Sequence, residues 1–299
     1  MSAGVAIDRD ALVAAAAGDS LGRAAWRRFR ANRSAMTGMA LLALIGLFAI
    51  AAPWISPHDM ETNDWGRIQI APTLEQSHWF GTDANGRDLF VRVAAGARLS
   101  LLIGLVTTGV AVLIGVLYGA VAGYVGGRID QLMMRFVDVL YALPLFFGII
   151  ILVTLFGRDI LLVFVAIGCV EWLTIARIVR GQTLSVKQME YVEAARSLGA
   201  PATRIVFRHV VPNVLGPVIV FSTLLVPTVI LVESFLSFLG LGVQEPQTSW
   251  GLLISQGASA IDTSPWLLLI PAAFLAATMF AFNFIGDGLR DALDPRDDS

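Results

Sequence analysis

Residues Leu99–Tyr124 read LSLLIGLVTTGVAVLIGVLYGAVAGY, 26 residues without one acidic or basic side chain. About 30 Å of hydrocarbon at about 1.5 Å per residue requires about 20 mostly apolar residues, so this stretch is long enough to cross a bilayer. Lipid offers the backbone no hydrogen bonds, so the stretch must be helical. Outward from it lie five more apolar runs: Gly38–Ile55, Leu132–Phe156, Ile160–Val179, Leu215–Leu239 and Trp266–Ile285. The chain therefore reads as an all-α polytopic membrane protein with six transmembrane helices. No long alternating runs suggest barrel strands.

Composition agrees. Of 299 residues, 56% are hydrophobic and 15% charged, with a net charge of -2. An average soluble domain has about 25% charged residues. These values exclude a disordered chain, a basic nucleic-acid binder and an ordinary soluble enzyme. Cys169 is the single cysteine, so neither an intrachain disulfide nor a cysteine zinc cluster can form.

Basic residues set the orientation. With the N-terminus in the cytoplasm, 16 of the 21 Lys and Arg fall on the inner side and five, among them Arg158, on the outer side. The positive-inside rule then places both termini in the cytoplasm. A rival reading makes Arg27–Arg33 the start of a signal peptide, with a small-x-small site at Ala49-Ile50-Ala51. The apolar run is longer than such a peptide needs, and cleavage would reverse the charge bias of the rest.

Between the spans, the arm 1–37 holds a short helix-forming stretch at Ala11–Ala17. It also holds a basic amphipathic helix with Leu21, Trp26 and Phe29 on one face, which suits the inner leaflet. The first span occupies 38–55, and the segment 56–97 is a long outer loop rich in turn residues. The region 98–287 contains the other five helices, and 288–299 is an inner tail. A second outer loop, Gly240–Pro265, lacks Lys and Arg and carries Gln244, Glu245 and Trp250. Long ordered-looking outer loops bind something or fold over a mouth.

The inner segment Arg180–Val214 is polar and reads as two short helices. The first covers about Val186–Leu198, with Met189, Val192, Ala195 and Leu198 on one face. Gly199-Ala-Pro201 breaks it, with Gly199 expected in a left-handed C′ position. The second covers about Ala202–Val211 and is expected to stop at Pro212. Joining two spans requires only a few residues. The surplus suggests a docking surface for a soluble partner, its apolar stripe flanked by Glu190, Glu193 and Arg196.

Lys187, the only lysine, is not framed by a nucleotide P-loop, and His58, His78 and His209 are too scattered for a His-Glu-x-x-His site. No serine stands in a Gly-x-Ser-x-Gly frame. Asp138 is expected to pair locally with Arg135. Glu171 and Glu233 lie within spans and must face protein or water. For each, the choice lies between an interhelical hydrogen bond and a place on a translocation path. At the latter, Glu233 is grouped with Ser234 and Ser237.

At the inner segment a known pattern is reached. Glu193, Ala194, Ala195, three residues, Gly199, and a twelve-residue stretch closing on Pro212 resemble the EAA loop of binding-protein-dependent ABC importer permeases. His209 and Val211 stand where that family usually has Ile and Leu, a departure common in its peptide and nickel branch. HWFGTDANGRDL at 78–89, GARLS at 96–100, ARIVRGQ at 176–182, FLSFLGLG at 235–242 and FIGDGLRDALDP at 284–295 are similar to the same branch.

The resemblance implies a type I ABC importer permease fold in a bacterial inner membrane, carrying peptides, with oligopeptides as the reading adopted. Dipeptides, glutathione, murein peptides and nickel are the alternatives within the class. An ion-driven secondary transporter and a non-transporting anchor or receptor are the alternatives outside it. Implied partners are a homologous second permease forming a heterodimer, two cytoplasmic ABC ATPases, a periplasmic or lipid-anchored peptide-binding protein, and membrane lipid, with no nucleic acid. No cofactor or metal is expected on this chain, and ATP and Mg2+ belong to the ATPases. The implied ATPase-coupling loop, 186–212, includes Glu190, Glu193, Ala194, Ala195, Arg196, Gly199, Arg208, His209 and Pro212.

Overall fold

The computed structural model describes residues 21–74, 76–157 and 160–293, and every described segment of regular structure is helical. The Ala11–Ala17 stretch, Arg158 and the end of the tail lie outside the described residues.

Helix α1, Leu21–Ala31, is separated from α2, Arg33–Ile55, by Asn32 alone. The Asn32 carboxamide accepts from the Ala35 N–H at 3.1 Å, satisfying one of the free donors that open a helix. Phe29 of α1 is buried with Ala35 and Ala292. Helix α3, Leu89–Val125, has 37 residues and begins on Asp88, whose Oδ1 accepts from Val91 N at 3.0 Å. At about 1.5 Å per residue it outruns the hydrocarbon layer. Its first nine residues were expected in the outer loop; the cap on Asp88 extends the helix to them.

The expected single helix Leu132–Phe156 is two: α4, Gly127–Ala142, and α5, Leu145–Phe156. Pro144 supplies no N–H and pushes Leu143 out of the helical region, to φ −71° and ψ 132°. Helix α6, Ile160–Val186, follows, then α7, Glu190–Ser197, and α8, Ala202–Ile205. Pro212 does not stop the next helix. A π turn at Val206–Val210 carries α8 into α9, Val211–Phe238, with Val211 N–H bonding Val206 O. Pro212 then falls in the first turn, where a missing N–H costs little. Helices α10, Trp250–Ala258, and α11, Trp266–Leu293, complete the order.

Among the described residues, four helical stretches are long and apolar enough to cross a membrane: α2, α3, Ala202–Phe238 and α11. The α4 and α5 pair, bent by 76°, makes a fifth if it is one broken span.

Helix α3 is the hub. Gly115, Gly119 and Gly123 recur every four residues on the face that meets α6. A Cβ built on Gly115 would lie 2.6 Å from Ile175 Cβ and 2.9 Å from the Trp172 carbonyl. Small residues at this spacing let two backbones approach closely, which drives helix association in lipid. Two apolar clusters flank α3, one shared with α6 and α9 around Ile103, Ile167 and Val229, the other shared with α2, α10 and α11 around Trp250 and Phe282.

Candidate coupling surface and outer latch

The candidate coupling site rests on how α7 ends. Gly199 has φ +79°, its N–H bonds Arg196 O at 2.9 Å, and Ala200 N–H bonds Ala195 O at 3.1 Å. These are the two bonds of a Schellman stop, and they place Gly199 in the expected left-handed C′ position. Glu190 and Glu193 occupy the first turn and Arg196 the last, each complementing the helix dipole.

The expected apolar stripe divides. Val192 turns inward and is fully buried, while Met189 and Leu198 stay exposed. Glu190, Glu193, Ala194, Arg196, Gly199, Arg208 and Pro212 are exposed, and Ala195 and His209 half-buried. Between α7 and the α8–π segment lies a cavity of about 510 Å³, lined by Tyr191, Ala194, Leu198, Gly199, Arg208 and His209 among others. The surface is tied to the bundle from below. Lys187 Nζ donates to Tyr124 O at 3.0 Å, at the end of α3. Arg180 of α6 donates to both oxygens of the buried Asp130 of α4.

Asp138 does not pair with Arg135. It accepts from Arg177 Nη2 at 2.8 Å, and the Arg177 guanidinium stacks over Tyr141 at 4.2 Å. Helix α4 lies alongside α6, as the Asp130–Arg180 pair also shows, and this makes the cross-helix pair available.

The second site is an ionic network. Arg87 Nε donates to Asp83 Oδ2 at 2.8 Å, and its Nη2 to Glu245 Oε1 at 2.7 Å. Arg92, almost fully buried in α3, contacts Asp83, Glu245 and Gln256. Gln256 of α10 also donates to Glu245 Oε1 at 2.8 Å. The Arg87 hydrogen bond, against a smaller desolvation cost, holds the Glu245 carboxyl down at about 2. The loop 240–249 is thereby fastened to the start of α3. Gln244 is exposed and, among the described residues, bonds only carbonyls of its own loop.

Trp250 opens α10, after the Ser249 cap. It is fully buried, its Nε1 donates to Val93 O at 3.2 Å, and its N–H donates to Ser100 Oγ at 3.2 Å. Beneath it, Glu233, Ser234 and Ser237 are buried between α3, α9 and α10. Ser237 Oγ donates to Glu233 Oε1 at 2.7 Å. The three residues form a buried polar seam along α9. Glu171 is half-buried on α6.

His58, His78 and Asp88, distant in sequence, meet where the segment between α2 and α3 folds back on itself. The two rings stack at 4.0 Å and 13°, so their in-plane lone pairs run side by side and do not converge on one ion. His78 Nδ1 bonds Asp88 Oδ2 at 2.8 Å, and the Arg67 guanidinium stands 3.4 Å from His78 Nε2. A cation beside that guanidinium is disfavoured; the cluster fastens the loop. Sequence spacing carried no signal for it, since the loop fold alone closes the distance.

Residues 115–297 match the family model described as "Binding-protein-dependent transport system inner membrane component". Residues 20–72 match "N-terminal TM domain of oligopeptide transport permease C". The oligopeptide transport system permease protein OppC of Haemophilus influenzae is 56% identical over 94% of this chain and 90% of its own length. OppC of Escherichia coli K12 is 56% identical over 94% of this chain and 93% of its own. The dipeptide transport system permease protein DppC of Bacillus subtilis is 46% identical over 91% of this chain and 85% of its own. With an exposed helix–Gly–helix surface at one end, an ionic latch at the other and these matches over nearly its whole length, the chain belongs to the inner membrane components of binding-protein-dependent transport systems, as a permease subunit.

Proposed function

We propose that this chain is one of two permease subunits of an ATP-driven ABC importer that carries oligopeptides across a bacterial inner membrane. The observation that carries the reading is the α7 surface: a short helix stopped at Gly199, presenting Glu190, Glu193 and Arg196 beside an open cavity and tied through Lys187 to α3. Two cytoplasmic ATPases bind ATP and Mg2+ and dock there. A homologous permease pairs through the lipid-level face of α9, where Leu231, Phe235 and Leu239 are exposed. A periplasmic or lipid-anchored peptide-binding protein delivers cargo from outside.

The topology has six spans, counting α4 with α5 as one and α6 as another, with both termini cytoplasmic. The latch of Asp83, Arg87, Arg92 and Glu245 closes the outer side. Closure of the ATPases moves residues 186–212, and the stiff bundle passes the displacement outward; partner binding must differ between the two states for anything to move. The substrate follows the two OppC relatives rather than DppC, on identity.

The test is uptake of labelled oligopeptides, dipeptides and glutathione into vesicles holding the complete complex, with and without ATP. ATP-dependent accumulation of oligopeptides is expected. Accumulation driven by an ion gradient without ATP would overturn the importer reading, and preference for dipeptides would overturn the substrate.

A further inference from the structure

A cavity of about 270 Å³ opens beside the latch, lined by Gln69, Asn85, Arg87, Arg92, Gln256 and Ser259 among others. Its charge is unbalanced without Glu245. Two guanidiniums face one wall carboxylate, that of Asp83, and Glu245 supplies the second anion from a loop that leaves its side chain 43% exposed. Arg87 spends Nε on Asp83 and Nη2 on Glu245; its Nη1 has no acceptor among the described residues. The Asn85 and Gln69 side chains likewise make no hydrogen bond there. The wall thus offers donors, a net positive charge once Glu245 swings away, and room for one side chain.

We infer that this cavity receives an acidic side chain of the substrate-delivering protein, which displaces Glu245 from Arg87 and Arg92 and so releases the outer latch on docking. The inference rests on the importer reading and adds to it the chemistry of the docking contact. Exchange of one carboxylate for another leaves the guanidiniums paired throughout, so the barrier of exposing a buried charge is avoided. Glu245 is the exchangeable partner because it is the exposed one; Asp83 is buried and stays. Charge pairs of this kind set association rate and salt dependence as well as affinity.

The test uses the complete complex in nanodiscs, without nucleotide, and the cognate binding protein in solution. Glu245→Gln removes the internal competitor and keeps both arginines. The binding protein is expected to bind this variant roughly three- to tenfold more tightly than wild type, with steeper weakening by salt. Arg87→Gln added to Glu245→Gln should abolish that gain, while Asp83 keeps its Arg92 partner and the complex stays intact on size exclusion. Equal affinity for wild type and Glu245→Gln would overturn the proposal, as would a gain that survives Arg87→Gln. Repeating the titration with peptide-free binding protein, and with protein loaded with a C-terminally amidated peptide, separates the carboxylate's source. A gain seen only with free-carboxylate peptide assigns the cavity to substrate and overturns the docking assignment. ATP-driven uptake by the wild-type complex, measured on the same preparation, tests the importer reading separately; intact uptake with an unchanged Glu245→Gln affinity sinks this inference alone.

Discussion

Arg180 Nε and Nη2 reach the two oxygens of Asp130 at 2.6 and 2.7 Å, although 50 residues separate them in the chain. The pair joins α4 to α6 just before α6 runs into the α7 surface. Asp130 is buried and Arg180 partly exposed, so the geometry is held mainly from the acid side.

Removing the cation alone should therefore be costly. Arg180→Gln leaves a buried carboxylate with a neutral partner and is expected to destabilise the purified chain by about 1–3 kcal/mol, less than a fully buried pair would lose. Asp130→Asn combined with Arg180→Gln should recover part of that. Thermal unfolding in one detergent, for the single and double variants, measures the difference; a double variant worse than Arg180→Gln would contradict it.

The stop at Gly199 makes a graded prediction. No atom lies within 4 Å of a Cβ built there, so the penalty for substitution comes from φ +79° alone. Valine should cost about 1–2 kcal/mol locally and tilt α7 against α8, whereas asparagine, which tolerates this conformation, should cost less. ATPase pull-down and peptide uptake should fall for Gly199→Val and stay near wild type for Gly199→Asn at matched expression.

Close packing between α3 and α6 is sterically committed. A methyl at Gly115 would sit 2.6 Å from Ile175 Cβ, so Gly115→Ala should part the helices and cost about 1–3 kcal/mol. Gly109, with nothing within 4 Å, is the matched control and should accept alanine. The two melting curves decide it.

In the buried seam, Glu233→Gln keeps an oxygen for Ser237 and should be mild. Glu233→Leu strips that acceptor and should cost about 1–3 kcal/mol. Equal melting temperatures for the two variants would refute a hydrogen-bonding role.

The latch also has a pH signature. The Glu245 carboxyl sits at about 2, below its ordinary 4.5, so the stability it adds is full above pH 4.5 and drains as pH falls toward 2. Wild type minus Glu245→Gln in melting temperature should be constant from pH 8 to 5 and shrink below. A difference that grew on acidification would reverse the assignment.

Hydropathy and local backbone chemistry were readable from the residues themselves. The apolar runs located the long helices because burial in lipid depends on composition over about 20 residues. Gly199 before Ala-Pro marked a left-handed stop because φ preference is a property of one residue. The break at Pro144 went unread, because proline is tolerated inside membrane-spanning helices, and the Gly115, Gly119, Gly123 repeat became a packing face only once α6 lay against it. Pro212 misled: proline at the start of a helix is tolerated, and a π turn upstream let the chain pass it.

What the sequence by itself determined is therefore the apolar segments, the helix–Gly–helix surface and the family pattern. Only the tertiary structure decided that Asp138 answers to Arg177 and not Arg135, that Glu245 closes on Arg87 across 158 residues, and that Trp250 is buried as an anchor. The physical reason is range. Helix formation is fixed by neighbours within a few residues, whereas an ion pair or a buried side chain depends on which helix faces come together.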